Sequence, residues 1–445
     1  MLSPIWRLTV NDICASKIAC WEIAINTPSA SSSRIEDFSL LDPRVQSDPR
    51  EFYSLLHEQR PVYLMPEMGM YVVARYEDAR AMVQDHETFS SSSNLIGSKF
   101  DGSMFENYNK MLAEKGWARV DTLSWTDPPE HGRYRAIVDK VFNVRYVREL
   151  QPHIAQVAND LIDKFIDRGE CEFVSEFALP LPGIIIAEQL GLDRSRYAAF
   201  KRWVNAIVTP GVVPMNHDQL RATAEIELEM QHYLAATFEE RRVSPTDDLI
   251  SKLVHAGGED ERPLSMHELQ STMCQLIAAG YDTTISALGT GLWLLLRFPE
   301  QMAKLRSNPT LVRGFVAESL RYEAPVQGMF RVATRDVEIA GTMIPEGSLV
   351  MARFGAANHD PSKFACPHQF DMERKNAGAH LAFGNGIHFC VGRLLAMEEL
   401  ETAFSILLSR LDDITLAQPL PDLPHKMHPT IHSLKELPIR FTKVA

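Results

Sequence analysis

Nowhere in the chain do the roughly eighteen consecutive apolar residues of a membrane-spanning helix occur. No two cysteines stand as C-x-x-C. Cys14, Cys20, Cys171, Cys274, Cys366 and Cys390 are scattered, which removes zinc-ribbon and thioredoxin readings and suits a reducing compartment. Positive charge is in deficit: 45 Lys and Arg stand against 58 Asp and Glu, a formal −13. Neither nucleic acid nor an anionic membrane surface finds an electrostatic footprint here. A phosphate-cradling glycine loop is missing too, since Gly289-Thr-Gly291 continues into Leu-Trp-Leu within a helical pattern. The first 28 residues lack the uncharged apolar core of a secretory signal, because Arg7, Asp12, Lys17 and Glu22 interrupt it. These absences lead to an expected cytoplasmic location, with 1–35 a soluble arm and 36–445 one domain. No internal repeat or long low-complexity tract is present.

What is there is an ordinary globular balance, 45% apolar and 23% charged over 445 residues, enough for a large core. A helical start at Glu51–Arg60 leads into an alternating hairpin pattern, Val62–Val73. From about Pro128 to Ile250 the period is helical. Ser265-Met-His-Glu268 is a capping box with Leu264 placed as a hydrophobic staple, and the helix it opens runs from about 265 to 297, before Pro299. Its length is about 50 Å at 1.5 Å per residue. A helix apolar all round must cross the middle of a soluble protein. The period then changes to alternation over 331–354, a β-meander signal, and the tail Pro429–Phe441 reads as short strands. The fold class is mainly α with small segregated β-sheets (α+β).

The chemistry concentrates in Phe383-Gly384-Asn385-Gly386-Ile387-His388-Phe389-Cys390-Val391-Gly392. Cys390 stands at the start of a helix expected from Val391 to about Ser405, where the dipole and free N–H groups favour a thiolate. Gly384, Gly386 and Gly392 let backbone approach a ligand closely. A lone cysteine is most often a small core hydrophobe, but six fixed positions matching together is a chance of the order of one in a million such chains. The pattern F-G-x-G-x-H-x-C-x-G resembles the haem-binding signature of the cytochrome P450 family, without departure.

Three further motifs extend that resemblance from about residue 40 to 441. Ala279-Gly280-Tyr281-Asp282-Thr283-Thr284 resembles the family's oxygen-activation motif. Gly280 removes a side chain where a ligand can lie against the helix. A threonine hydroxyl can bond a helix carbonyl, and an acid beside an alcohol is a short proton relay. Glu318-Ser-Leu-Arg321 resembles the family's E-x-x-R pair. The same spacing at Glu77/Arg80, Glu130/Arg133, Glu239/Arg242 and Glu259/Arg262 is what surface ion pairs produce. Context selects Glu318/Arg321, and the resemblance adds Arg374 as third member of a buried structural triad. Asp127-Pro-Pro-Glu-His131-Gly-Arg-Tyr-Arg135 opens a helix. In the family such residues hold haem propionates, together with counterparts here of Arg331 and His388.

The resemblance implies a cytochrome P450 fold whose cofactor is haem b (iron protoporphyrin IX), with Cys390 as axial iron ligand in loop 383–390 and Asp282 and Thr283 delivering protons. His131, Arg135, Ala279, Gly280, Arg331, Phe383, Gly384, His388 and Gly392 would contact the cofactor. The implied activity is insertion of one oxygen atom from O2 into a C–H bond of a small hydrophobic substrate. A fatty acid is the first choice, its carboxylate anchored by Lys99, Lys110, Lys115 or Arg119 in loop 94–120; terpenoid and aromatic substrates stay open. Electrons are expected from a ferredoxin or flavodoxin with its NAD(P)H reductase, meeting Arg133, Lys140, Arg145 and Arg393 on a monomer without membrane anchor. An H2O2-dependent peroxygenase, a non-catalytic haem-thiolate sensor and a haem-free helical binding protein are the competing readings.

Overall fold

The computed structural model describes residues 34–99, 102–192, 196–211, 215–256, 262–418, 425–426 and 428–444. The expected arm lies outside the described residues apart from Arg34 and Ile35. Among the described residues, thirteen α-helices have six or more residues. They are α1 (Arg50–Gln59), α2 (Tyr76–Gln84), α3 (Glu106–Lys115), α4 (Glu130–Val141), α5 (Val144–Asp163), α6 (Pro180–Gln189), α7 (Tyr197–Val208), α8 (His217–Val243), α9 (Leu249–Val254), α10 (Met266–Arg297), α11 (Pro299–Ser307), α12 (Val312–Tyr322) and α13 (Arg393–Arg410).

Helix α10 is the axis. Ser265 caps it through the Glu268 N–H, and the Glu268 carboxylate returns to the Ser265 N–H at 2.7 Å. Arg133, Arg262 and Tyr134 also donate to Glu268, at 2.7–2.9 Å. Leu264 and Leu269 are both buried in the main core, as a staple requires. From Thr284 to Leu292 every residue is buried. No helix among the described residues is long and apolar enough to cross a membrane.

Among the described residues, ten strands form three sheets. They are β1 (Val62–Met65), β2 (Met70–Val73), β3 (Phe89–Ser90), β4 (Glu170–Glu172), β5 (Met329–Ala333), β6 (Val337–Ile339), β7 (Thr342–Ile344), β8 (Leu349–Ala352), β9 (Leu411–Leu416) and β10 (Pro438–Lys443). The largest sheet has the order β1-β2-β8-β5-β3, with β2 and β8 parallel. The meander expected over 331–354 is therefore corrected. Of consecutive strands only β6 and β7 pair there, while β8 lies between β5 and the distant β2. Alternation identifies strands, not their partners. In β5 the period of two turns Met329 and Arg331 toward the central cavity and Phe330 and Val332 into a separate apolar cluster.

Two boundaries also move. Helix α13 begins at Arg393 rather than Val391, with Gly392 as its cap residue. The tail holds one strand, β10, which with β4 and β9 makes the third sheet. Cys171, Cys274 and Cys390 are free thiols, whereas Cys366 is disulfide-bonded, an exception to the expected all-thiol chain.

Candidate functional site

A cavity of about 300 Å³ lies between α10 and the glycine-rich loop. Ala279, Gly280, Thr283 and Thr284 form one wall; Phe383, Gly384, His388, Phe389, Cys390 and Gly392 form the other. His131, Arg135 and Arg331 line it as well. Thus residues from positions 131 to 392 converge, and of the sequence-derived haem contacts all nine outside Cys390 lie on this one surface.

The loop's shape comes from its glycines. Gly384 and Gly386 hold φ of +69° and +72°, a region that L side chains rarely enter. A Cβ on Gly386 would stand 2.6 Å from the Val83 carbonyl of α2. The Cys390 N–H donates to the Phe383 carbonyl at 2.9 Å, closing the loop. Burial pushes the Cys390 thiol above its ordinary value, opposed by the Gly392 N–H and the charges of Arg135 and Arg393. The thiolate-favouring groups expected at a helix start are present, but burial outweighs them.

One corner of the cavity is cationic and dry. Arg331 is 5% exposed. Its guanidinium donates to the Phe330 carbonyl at 2.6 Å, and burial pulls its pKa to about 10, with Asp127 partly offsetting. The His388 and His131 rings meet with centroids 4.3 Å apart and planes tilted by 60°. Burial, then Arg331, pulls His388 to about 3; burial and Arg135 lower His131. A buried guanidinium beside two imidazoles is unfavourable until an anion arrives, so this donor set fits the two carboxylates of a haem. Arg135 is partly otherwise engaged, donating to the Ile387 and Phe389 carbonyls and pairing with Asp139 at 2.9 Å. It braces the glycine-rich loop.

On the opposite wall the Thr283 hydroxyl donates to the Ala279 carbonyl at 2.6 Å, and α10 is helical throughout. Thr283 lines the cavity; Asp282 is not among its lining residues. Neighbours on a helix of 3.6 residues per turn point about 100° apart. Burial raises the Asp282 carboxyl pKa, and Lys426 opposes this.

Away from the cavity, Glu318 and Arg321 are fully buried and bond at 2.7 and 2.8 Å, with Arg374 on the same carboxylate at 3.0 Å. The side chains of Glu77/Arg80 and Glu239/Arg242 are 37–64% exposed. Arg133 pairs with Glu268 rather than Glu130.

Sequence reasoning missed two residues. Glu399 lines the cavity at 2% exposure, and burial raises its carboxyl to about 8, with Thr284 its one opposing hydrogen bond. The signal was available: Leu395, Ala396, Glu399 and Ala403 share a helix face. Asp127 accepts from the Ser90 hydroxyl and from the Ser91 N–H at 2.9 Å. The Ser91 hydroxyl in turn meets His388 Nε2 at 3.0 Å.

A family model described as Cytochrome P450 matches residues 194–441, more than half of the chain. The chain belongs to the cytochrome P450 family. Relatives include cytochrome P450 CYP107DY1 of Priestia megaterium, 38% identical over 92% of this P450 and 99% of that protein. The 6-deoxyerythronolide B hydroxylase of Saccharopolyspora erythraea is 34% identical over 87% and 95%. Among solved structures, cytochrome P450 CYP109Q5 from Chondromyces apiculatus matches with a TM-score of 0.80 at 33% identity, covering 92% and 98%. This P450 is accordingly a haem-dependent oxidoreductase of the monooxygenase type.

Proposed function

We propose that Cys390 would hold a haem iron through its sulfur and that the enzyme inserts one oxygen atom of O2 into a C–H bond of an uncharged hydrophobic substrate. The observation that carries the reading is one cavity with Cys390 on one wall, Gly280 and Thr283 on the other, and a desolvated Arg331–His388–His131 corner between them. Haem bound there supplies oxygen activation, and its thiolate ligand favours O–O cleavage.

The protein's own residues do the rest. Phe383 and Phe389 exclude water beside Cys390. Arg331, His388 and His131 would hold the propionates of a bound haem, and Cys390, as a thiolate, would hold its iron. Thr283 presents a hydroxyl to the cavity, and Asp282, facing another way, resupplies its proton through water. Glu318, Arg321 and Arg374 act as a buried brace far from the chemistry.

Support for a fatty-acid anchor is lost. Lys99, Lys110, Lys115 and Arg119 are absent from the cavity lining; Lys110 faces Glu114 at 3.8 Å and Arg119 is paired with Glu227. An ionised carboxylate without a partner is costly in an apolar cavity. That one relative is named for hydroxylating 6-deoxyerythronolide B supports a neutral substrate class. Electrons come from a separate ferredoxin or flavodoxin with its reductase. Of the expected docking cations, Arg133 is committed to Glu268 and Arg145 pairs with Glu149, while Lys140 donates to the Ala256 carbonyl.

The decisive experiment is the reduced carbon-monoxide difference spectrum of wild type and Cys390→Ala. The wild type is expected to show the thiolate-ligated band and the variant to lose it; an unaltered spectrum in the variant would refute the assignment. A spin-state panel of neutral lactones and terpenoids against fatty acids tests the substrate class. A shift with fatty acids alone removes it. Equal turnover with H2O2 and no electron donor would favour the peroxygenase.

A further inference from the structure

Glu399 is a buried acid outside the Asp282–Thr283 pair. It stands on α13, 2% exposed, and lines the cavity. Its Oε1 has no hydrogen-bond partner. The Thr284 hydroxyl hydrogen-bonds to the carboxyl, and Thr284 is itself buried on the cavity wall. Burial raises the carboxyl to about 8, so at neutral pH the group is an uncharged acid that holds a proton. The cavity therefore meets two acid–alcohol pairs. One has both members on α10; the other joins α10 to α13.

A second, smaller void of about 10 Å³ lies between α10, α12 and α13, room for about one water. Ala287, Leu320 and Leu400, the residue after Glu399, line both this void and the cavity. The polar residues of the void are Thr290, Ser319 and Glu323. Ser319 Oγ is buried without a partner. The Thr290 hydroxyl gives its proton to the Ser286 carbonyl at 2.8 Å, which leaves its oxygen able to accept. A water there meets three polar groups, the number buried waters take. Glu323 leads outward: His432 Nδ1 stands 3.1 Å from its carboxylate, though off the hydrogen-bonding line. The His432 ring lies parallel to that of half-buried His425, with centroids 4.3 Å apart.

Insertion of one oxygen atom of O2, with the other leaving as water, consumes two protons and two electrons. We propose that Glu399 supplies one of the two protons: it passes its own to the cavity through the Thr284 hydroxyl and is refilled from a water that Ser319 holds in the void. Glu323, His432 and His425 return the proton to that water from the surface. Each transfer moves one proton and no electron, and every group ends as it began. This rests on the cavity being the site of oxygen chemistry.

Infrared difference spectroscopy reads the carboxyl directly, with or without haem. Wild type at pH 7 is expected to show a protonated C=O stretch that Glu399→Gln removes. On transfer to D2O the band should shift. Ser319→Ala should slow that shift roughly tenfold, as for loss of one hydrogen bond, while Thr283→Ala leaves its rate unchanged. In the loaded enzyme with its electron donor, Glu399→Gln should lower product formed per electron, and Thr283→Ala/Glu399→Gln should lower it below Thr283→Ala alone. A spectrum at pH 7 unchanged by Glu399→Gln would overturn the proposal. So would an exchange rate in Ser319→Ala equal to that of wild type, or a double variant coupled as well as Thr283→Ala. If Glu399→Gln does not fold, the exchange rate in Ser319→Ala decides alone. The infrared band is read on apoprotein as well, so failure of the haem reading shows separately, as a missing carbon-monoxide band.

Discussion

Replacing Arg331 by methionine is expected to move the cofactor-free and cofactor-loaded proteins in opposite directions. Arg331 is 5% exposed and its guanidinium is held at about 10 by burial. Against an ordinary value near 12.5, at 1.36 kcal/mol per pH unit, that is a cost of about 3 kcal/mol for keeping the charge folded without an anion. Little solvent screening reduces it at this exposure. Methionine fills similar volume without charge, so the apoprotein should gain stability approaching about 3 kcal/mol. In the loaded enzyme the balance reverses, because a charge-assisted bond to a propionate is lost and the carboxylate is left buried. Haem transfer to an acceptor apoglobin should then quicken by one to two orders of magnitude, taking about 1.4 kcal/mol per tenfold. Denaturant melts of both forms and the transfer rate provide the readouts. If the substitution lowered apo and holo stability equally, Arg331 would be a structural residue and the propionate argument would fail.

Glu399→Gln should flatten a pH dependence. Its carboxyl is raised to about 8, so the folded protein keeps a proton that the unfolded chain releases near pH 4.5. Stability from this group is full below pH 4.5 and falls as pH rises toward 8, the reverse of a salt-bridged acid. The variant should therefore gain on wild type at pH 8 relative to pH 5 in paired urea melts; parallel profiles would contradict this. Glu268→Ala should cost about 3 kcal/mol, the usual penalty for breaking a buried pair, and hydrogen exchange should show early opening at the start of α10. Four donors (Arg262, the Ser265 N–H, Arg133 and Tyr134) hold Glu268 far below the carboxylate range despite burial, so wild-type stability should also decline as pH drops below about 4.5. Thr283→Ala should keep its carbon-monoxide spectrum but form less product per donor electron; unchanged coupling would remove the hydroxyl from proton delivery.

Local signals carried much of this molecule. The capping box at Ser265 and an apolar run locate α10 because both are properties of one segment. The Cys390 loop is legible because glycine at fixed offsets is a backbone requirement. Glu318 was separable from four look-alike pairs only through its flanking residues, and the difference between full burial and half exposure is not written in the spacing. What escaped has distant partners. Arg133 finds Glu268 across 135 residues, Glu227 finds Arg119 across 108, and β2 finds β8 across about 280. None of these leaves a periodic trace. Glu399 was legible in principle, as a carboxylate on an apolar stripe. Asp282 and Thr283 were read as a pair because they are adjacent, yet adjacency on a helix separates their directions.

The tight seat of Gly386 against Val83 makes cofactor capture a late event in biogenesis. The loop that carries the proposed sulfur donor takes its shape only against a helix synthesised some 300 residues earlier. An alanine at 386 would push the two apart by steric force, tilting the thiol away from its target. Such a chain should accumulate as folded but colourless protein, the fault lying in assembly order rather than in any group that touches iron.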